Sequence, residues 1–132
     1  MMRRTIAAAL SVLCLCFLFT ACGEQEITDG VYAVTVTLEG GSGRAGIESA
    51  RVTIRDGRAV SAVIRWSSPF YDYMIIDGQR YEPLEGEGNS EFQIPVVLDE
   101  PMEVSADTLA MSQPHLIDYR LTFDSRTLRK EP

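Results

Sequence analysis

Apolar and polar residues alternate along most of the chain after Gly30. Successive side chains of a β-strand point to opposite faces, so a period of two is typical of strands that bury one face. The strand-like segments are YAVTVTL, ARVTI, VSAVIRW, YMII, YEPL, FQIPV, MEVSA and IDYRLTF, which begin at residues 32, 50, 60, 73, 81, 92, 102 and 117. No run of ten or more residues has the helical period, so we expect an all-β protein.

Turn-forming residues separate these segments. Asp56-Gly57 and Asp77-Gly78 favour tight turns, the first a two-residue hairpin. The glycine-rich run at 40–43 predicts a flexible hairpin loop, and Pro83 assigns residues 81–84 to a sheet edge, because proline cannot donate a ladder hydrogen bond. This pattern predicts an immunoglobulin-like antiparallel β-sandwich of about seven to nine strands.

The first 22 residues have the pattern of a bacterial lipoprotein signal peptide. MMRR is a positive start, the following run TIAAALSVLCLCFLF is apolar, and FTAC places small residues before Cys22. We therefore expect cleavage before Cys22 and lipidation of its thiol, which would anchor the protein to the outer surface of the cell membrane. The alternative is an ordinary cleaved signal peptide.

The remaining chain is predicted to be one small acidic domain outside the cytoplasm. We expect a short tether at 23–29, the β-sandwich at 30–124 and a charged C-terminal tail at 125–132. The whole chain has a formal charge of −7, and losing Arg3 and Arg4 leaves 10 basic against 19 acidic residues, or −9. This balance argues against binding to nucleic acid.

The sequence lacks the motifs that indicate most kinds of enzyme. There is one histidine, no phosphate-binding Gly-Lys-Ser/Thr loop and no cysteine and histidine cluster with zinc spacing. Ser112 and His115 lie close together but have no assigned orienting acid, so they do not indicate a hydrolase. We expect a protein that is not an enzyme.

Two segments have the composition of a binding site. In WSSPFYDYM, residues 66–74, Pro69 interrupts the strand pattern. Its aromatic residues would either cover an open end of the sandwich or form a hydrophobic wall, with Ser67 and Ser68 as donors at the rim.

The second segment is AMSQPHLIDY, residues 110–119, which contains the only histidine. His115, Ile117 and Tyr119 share one face of a strand. The Cα atoms of His115 and Tyr119 would be about 13 Å apart in an extended strand. The pair is therefore either a histidine at a loop edge and a core tyrosine, or part of a binding site.

The order of DGVY, ARVTIRDGRAVSAVI, IPVVLDEPM and YRLTFD resembles the near-iron-transporter (NEAT) domains of Gram-positive surface proteins. The likeness extends over residues 29–124. It implies an immunoglobulin-like sandwich that holds haem between the loop after the Asp-Gly hairpin and the last β-hairpin.

The resemblance also implies a set of haem-binding residues. The loop falls on residues 67–74, and the family's Tyr-x-x-x-Tyr motif falls on His115 and Tyr119, so a histidine stands at the iron ligand's position. Imidazole is a competent axial ligand, and Met74 or Met111 would supply a thioether on the other side. The implied cofactor-binding residues are Phe70, Tyr71, Tyr73, Met74, Met111, His115 and Tyr119, with His115 and Met74 as metal ligands.

We therefore expect a membrane-anchored lipoprotein that binds haem or an iron compound, or a haemoprotein, in iron acquisition. An ABC transporter would be its receiving partner by the resemblance. The alternative is a non-catalytic immunoglobulin-like interaction module, an accessory of such a transporter. Haem binding requires the aromatic loop and the segment before His115 to meet at one end of the fold, around a cleft.

Overall fold

The computed structural model describes residues 27–110 and 115–132, and all the strands there pair in antiparallel fashion. The strands are β1 (Gly30–Gly40), β2 (Ile47–Arg55), β3 (Arg58–Trp66), β4 (Tyr71–Ile76), β5 (Gln79–Tyr81), β6 (Glu91–Ile94), β7 (Met102–Thr108) and β8 (His115–Lys130). The prediction of an antiparallel all-β fold with seven to nine strands is confirmed. The described residues include no helix long and apolar enough to cross a membrane.

The strands form one sheet that nearly closes on itself. Their order is β5-β4-β7-β8-β1-β2-β3-β6, so the shortest strands lie at the two edges. The edges approach each other after β5, where the amide of Leu84 donates to the carbonyl of Glu91 at 2.8 Å. Short edges that face one another leave few unpaired strand groups for another chain to join.

The predicted edge strand at 81–84 is displaced in the structure. The strand β5 ends at Tyr81, two residues before Pro83, and Pro83 itself lies outside it. The missing amide proton of proline accounts for this position, because Pro83 could not have extended the ladder.

The alternating apolar residues form one core between the curved faces of the sheet. In β3, for example, Ala62, Ile64 and Trp66 are buried in turn. The largest fully buried side chains are Trp66, Phe92, Phe123, Ile54, Ile64, Met74, Ile94, Leu121 and Val52. Fully burying one Ile or Phe side chain contributes about 1.5–3 kcal/mol, so this core is the main source of stability.

Both Asp-Gly pairs form the turns predicted for them. Asp56 and Gly57 have φ values of 53° and 74°, and Asp77 and Gly78 have 51° and 75°. Two consecutive residues with positive φ define the type I′ turn, whose twist matches that of the paired strands. Accordingly, β2 pairs with β3 and β4 pairs with β5 directly on either side of these turns.

The C-terminal segment is part of the folded sheet, although the sequence predicted a tail there. Residues 125–130, predicted as a charged tail, continue β8 and pair with β1 as far as Lys130. Leu128 packs against the core, and Thr127 accepts a hydrogen bond from the amide of Thr35 at 2.8 Å. Pairing with β1, one apolar contact and one hydroxyl acceptor thus hold a segment whose charged residues predict exposure to solvent.

The described part of the predicted tether, residues 27–29, also contacts the folded domain. Ile27 packs against the core, and the Thr28 carbonyl accepts a hydrogen bond from the Tyr32 hydroxyl at 2.8 Å. Asp29 accepts one from the amide of Asp56 at 2.9 Å. The predicted signal peptide and lipidation site, up to Cys22, lie outside the described residues.

The loop between β1 and β2 passes close to the ring of Tyr119. Gly41 has a φ of 67°, and a Cβ atom there would lie 2.8 Å from the Cε1 atom of Tyr119. Gly43 has a φ of 82°, but a Cβ atom there would meet nothing within 4 Å. Of these two glycines, Gly41 alone is required both by conformation and by space.

We predict that Gly41→Ala lowers the free energy of unfolding by about 1–3 kcal/mol, since it adds a clash to the positive-φ strain. Gly43→Ala is the matched control and should cost about 1 kcal/mol or less, because only the φ strain applies. Urea unfolding of both variants measures the difference. Equal losses would show that the close approach to Tyr119 has no energetic weight.

Candidate ligand-binding site

Three connections meet at one end of the fold. The amide of Ser67, just after β3, donates to the carbonyl of Gly46 at 2.8 Å, and the Ser67 hydroxyl accepts from the amide of Gly46 at 2.9 Å. The amide of Leu109, just after β7, donates to the carbonyl of Phe70 at 2.8 Å. The loop after β3 and the described start of the β7–β8 connection, residues 109–110, therefore lie side by side.

A cavity of about 540 Å³ opens between these connections. Ser42, Arg44, Ser67 and Ser68 give it polar lining, and Ile117 is among its apolar lining residues. Arg44 is the only charged residue among the described residues that line it. A volume within the usual 300–1,000 Å³ of ligand pockets, with one cation and several hydroxyls, suits a partly apolar anion.

Three aromatic rings pack together at the base of this end. Trp66 stacks on Tyr71 with ring centroids 4.2 Å apart, and Tyr119 lies 5.1 Å from Trp66. The hydroxyls of Tyr71 and Tyr119, which both line the cavity, are 2.9 Å apart. This arrangement holds β4 and β8 together beneath the cavity.

The Tyr71 phenol is neutral at physiological pH. Burial is the largest cause that raises its pKa far above the ordinary value for tyrosine, and the hydrogen bond and interaction with Tyr119 raise it further. A phenol that keeps its proton serves as a hydrogen-bond partner and is a poor source of tyrosinate for a metal. The tyrosine pair is therefore suited to support the cavity floor.

His115 is not among the described residues that line the cavity, but it lies next to one of them. It is the first residue of β8, is exposed, and pairs directly with Thr108, which lines the cavity. Directly paired residues have Cβ atoms about 4.5–5.5 Å apart on the same face. The period of two also places His115 on the side of β8 that carries the cavity-lining Ile117 and Tyr119.

The other sequence-predicted site residues are divided between the core and the outside. Met74 has no exposed surface and belongs to the core, where it pairs with Ala106 and Tyr81. Tyr73 lies on the opposite face, with the guanidinium of Arg80 3.9 Å above its ring. Phe70 is exposed beside the cavity loops, and Met111 lies outside the described residues.

The sequence assigned no ligand to the glycine-rich loop at 40–44, yet this loop and the next residue supply Ser42, Arg44 and Ala45 to the cavity. A lone arginine directly after a glycine-rich run was the available signal. Its significance depends on the contact between Gly46 and Ser67, which are 21 positions apart in sequence.

A second group of titratable residues lies on the outer face of the same end. Tyr71 pairs with Thr108 and Tyr73 pairs with Asp107, so Asp72 is an extra residue in β4 and forms a bulge. The Oδ1 atom of Asp72 is buried without a hydrogen-bond partner among the described residues.

The Asp72 and Asp107 carboxyls interact directly. Asp107 is 4% exposed, and its pKa is raised above the ordinary value, first by a hydrogen bond with Asp72, then by burial and by the charge of Asp72. The charges of Arg80 and His115 act in the other direction. Two neighbouring carboxyls of this kind cannot both ionise without cost.

In the parts of the chain described, no three of His, Cys, Asp or Glu gather closely enough to hold a metal ion. No protein-family model matches the chain, and no curated protein matches it significantly. The resemblance to NEAT domains therefore stays a prediction.

We predict that Tyr71→Phe lowers the free energy of unfolding by about 1–3 kcal/mol, because the buried Tyr119 hydroxyl loses its partner. The double variant Tyr71→Phe/Tyr119→Phe leaves no orphaned hydroxyl and should lose less than the sum of the two single variants. Tyr73→Phe, on the outer face, is the control. If the losses of unfolding free energy in the two single variants, measured with urea, add up to the loss in the double variant, the two hydroxyls are not coupled.

We predict that Asp107→Asn stabilises the protein at neutral pH. Because the pKa of Asp107 is raised in the folded state, the protonated carboxyl adds to the free energy of unfolding. This added stability is complete below the ordinary aspartate pKa of about 3.9 and is lost as pH rises through the raised pKa. The free energy of unfolding of the wild type should fall as pH rises through the raised pKa of Asp107. That of the variant should not show this fall. Glu100→Gln, at an exposed position, is the control; a variant less stable than wild type at neutral pH would contradict the repulsion.

Proposed function

We propose that the protein is a non-catalytic, membrane-anchored lipoprotein that binds haem, or a similarly flat iron compound, for iron acquisition at the cell surface. One observation supports this above all others. The cavity opens between the loop after β3 and the β7–β8 connection, the two segments that the NEAT resemblance implies as walls of a haem site.

The side chains around the cavity suit the parts of such a ligand. The exposed imidazole of His115, next to the cavity-lining Thr108, is free of any hydrogen bond to another described residue and is a competent ligand for haem iron. Arg44, with the hydroxyls of Ser42 and Ser68, would bind the carboxylates of a porphyrin. Ile117 would pack against the apolar ring.

Tyr119 has a supporting role in this proposal. Its hydroxyl is hydrogen-bonded to Tyr71, and its Cα atom is about 13 Å from that of His115 along an extended strand. It would therefore hold the cavity floor in place and leave the iron to His115.

In this proposal Met74 is not the iron ligand opposite His115. Met74 is enclosed by the core, so its thioether would reach iron only if the packing opened at a cost of several kcal/mol. Met111, four residues before His115, is the remaining methionine of the predicted set. Haem would accordingly be held by His115 alone or by His115 and Met111.

A second candidate function is a protein-interaction module, such as an accessory of an ABC transporter. The observation in its favour is a group of large apolar side chains exposed at the same end, namely Phe70 at 52%, Leu109 at 48% and Leu116 at 47%. Large apolar side chains grouped on a surface are typical of binding sites.

The decisive experiment is a haemin titration of residues 23–132, followed in the Soret region. We predict a saturating one-to-one shift in the wild type, loss or alteration of that spectrum in His115→Ala, and weaker binding of about tenfold in Arg44→Ala. Loss of the iron ligand changes the spectrum, whereas loss of Arg44 should change only the affinity.

Leu116→Ala is the matched control, because this residue adjoins His115 but lies on the other face of β8. An unchanged spectrum in His115→Ala would exclude His115 as the ligand. No shift in the wild type at micromolar haemin would refute haem binding and leave the interaction module.

A further inference from the structure

The outer face of the β7–β8 hairpin carries an apolar surface around a pair of acids. Asp107 lies in one row between Leu116 of β8 and Tyr73 of β4, to which it is directly paired. We call Phe70, Leu109, Leu116, Asp72 and Asp107 the outer patch. Its three apolar members are each about half exposed, whereas Asp107 is nearly buried among its neighbours.

The two acids of the outer patch have no cation of their own among the described residues. Neither Asp72 nor Asp107 forms a salt bridge there. The nearby Arg80 is bound to Glu82 at 2.6 Å and lies over the Tyr73 ring. The buried Oδ1 atom of Asp72 has no donor among the described residues, and this costs free energy that a hydrogen bond donated by a cation would recover.

We propose that the outer patch docks a partner protein that inserts a lysine or arginine side chain between Asp72 and Asp107 and packs apolar residues on Phe70, Leu109 and Leu116. The partner's cation would neutralise the paired acids. The surrounding apolar side chains would exclude water from that contact, as at the centre of a protein interface. The negative charge of the chain, −7, would steer a basic partner towards it.

Two other occupants fit less well. A bound metal ion would need more ligands than two carboxylates, and the described residues supply no third His, Cys, Asp or Glu. An anionic membrane would be repelled by Asp72, Asp107 and the neighbouring Asp118. A basic, partly apolar protein surface satisfies both the charge and the exposed side chains.

This inference does not depend on haem binding. The outer patch uses the face of β8 that carries Leu116, whereas the cavity uses the face that carries Ile117. It gives the interaction-module candidate a location and a partner chemistry, and each proposal can fail without the other.

The test uses two synthetic peptides, acetyl-SLKLS-amide and the same peptide with norleucine in place of lysine. Each is titrated into the full-length protein in zwitterionic detergent micelles, and amide chemical shifts are followed by NMR. We expect the lysine peptide to shift the signals of Asp72, Asp107 and Leu116, with an affinity at least about tenfold above that of the norleucine peptide.

Variants then separate the contributions. Asp72→Asn/Asp107→Asn should abolish the preference for lysine while the protein stays folded, and Leu116→Ser should weaken binding of both peptides. Val60→Ser is the matched control, since Val60 is equally exposed on β3, far along the sheet order from β8. His115→Ala, which tests the haem site and removes no member of the outer patch, should keep the preference for the lysine peptide.

Several results would overturn the proposal. Equal affinity for the two peptides would mean a purely apolar contact, and shifts centred on Val60 would mean a different surface. Absence of any shift at millimolar peptide would exclude a basic partner. Concentration-dependent shifts at Leu116 without peptide would identify a second copy of this chain as the occupant.

Discussion

The packing of Tyr71 against Trp66 and Tyr119 is the contact on which both sites depend. It directs Tyr71 into the fold, where its hydroxyl meets that of Tyr119 at 2.9 Å and closes the floor of the cavity. The bulge that allows this leaves Asp72 as an extra residue, and Tyr73 emerges on the opposite face. One local irregularity in β4 therefore creates a neutral cavity floor on one side and an acid pair on the other.

The β7–β8 hairpin thus carries different chemistry on its two faces. Its inner face, with Thr108 and Ile117, borders a cavity whose charged residue is Arg44, so that side suits an anion. Its outer face presents Asp107 and exposed Leu116, which suit a cation with apolar surroundings. Because side chains alternate along each strand, the two surfaces lie on opposite faces of the same two strands and remain separate.

The energetics of this end differ from those of the rest of the fold. The core strands bury alternating apolar side chains, whereas this end buries two tyrosine hydroxyls and the Asp107 carboxyl, and an exposed glycine there lies against an aromatic ring. Such groups contribute less stability than apolar packing and some of them oppose folding. Concentration of these features in one place is typical of binding sites, whose residues are arranged for a ligand.

By itself the sequence determined the strand pattern, because burial on one face imposes a period of two, and both Asp-Gly turns, because few residues accept two positive φ angles in succession. It also pointed to the aromatic loop and to His115. It could not show that Met74 lies in the core while Tyr73 lies outside, that Arg44 joins the cavity, or that Asp72 meets Asp107. These depend on a bulge and on contacts between residues distant in the chain, and only the tertiary structure decides which strands become neighbours.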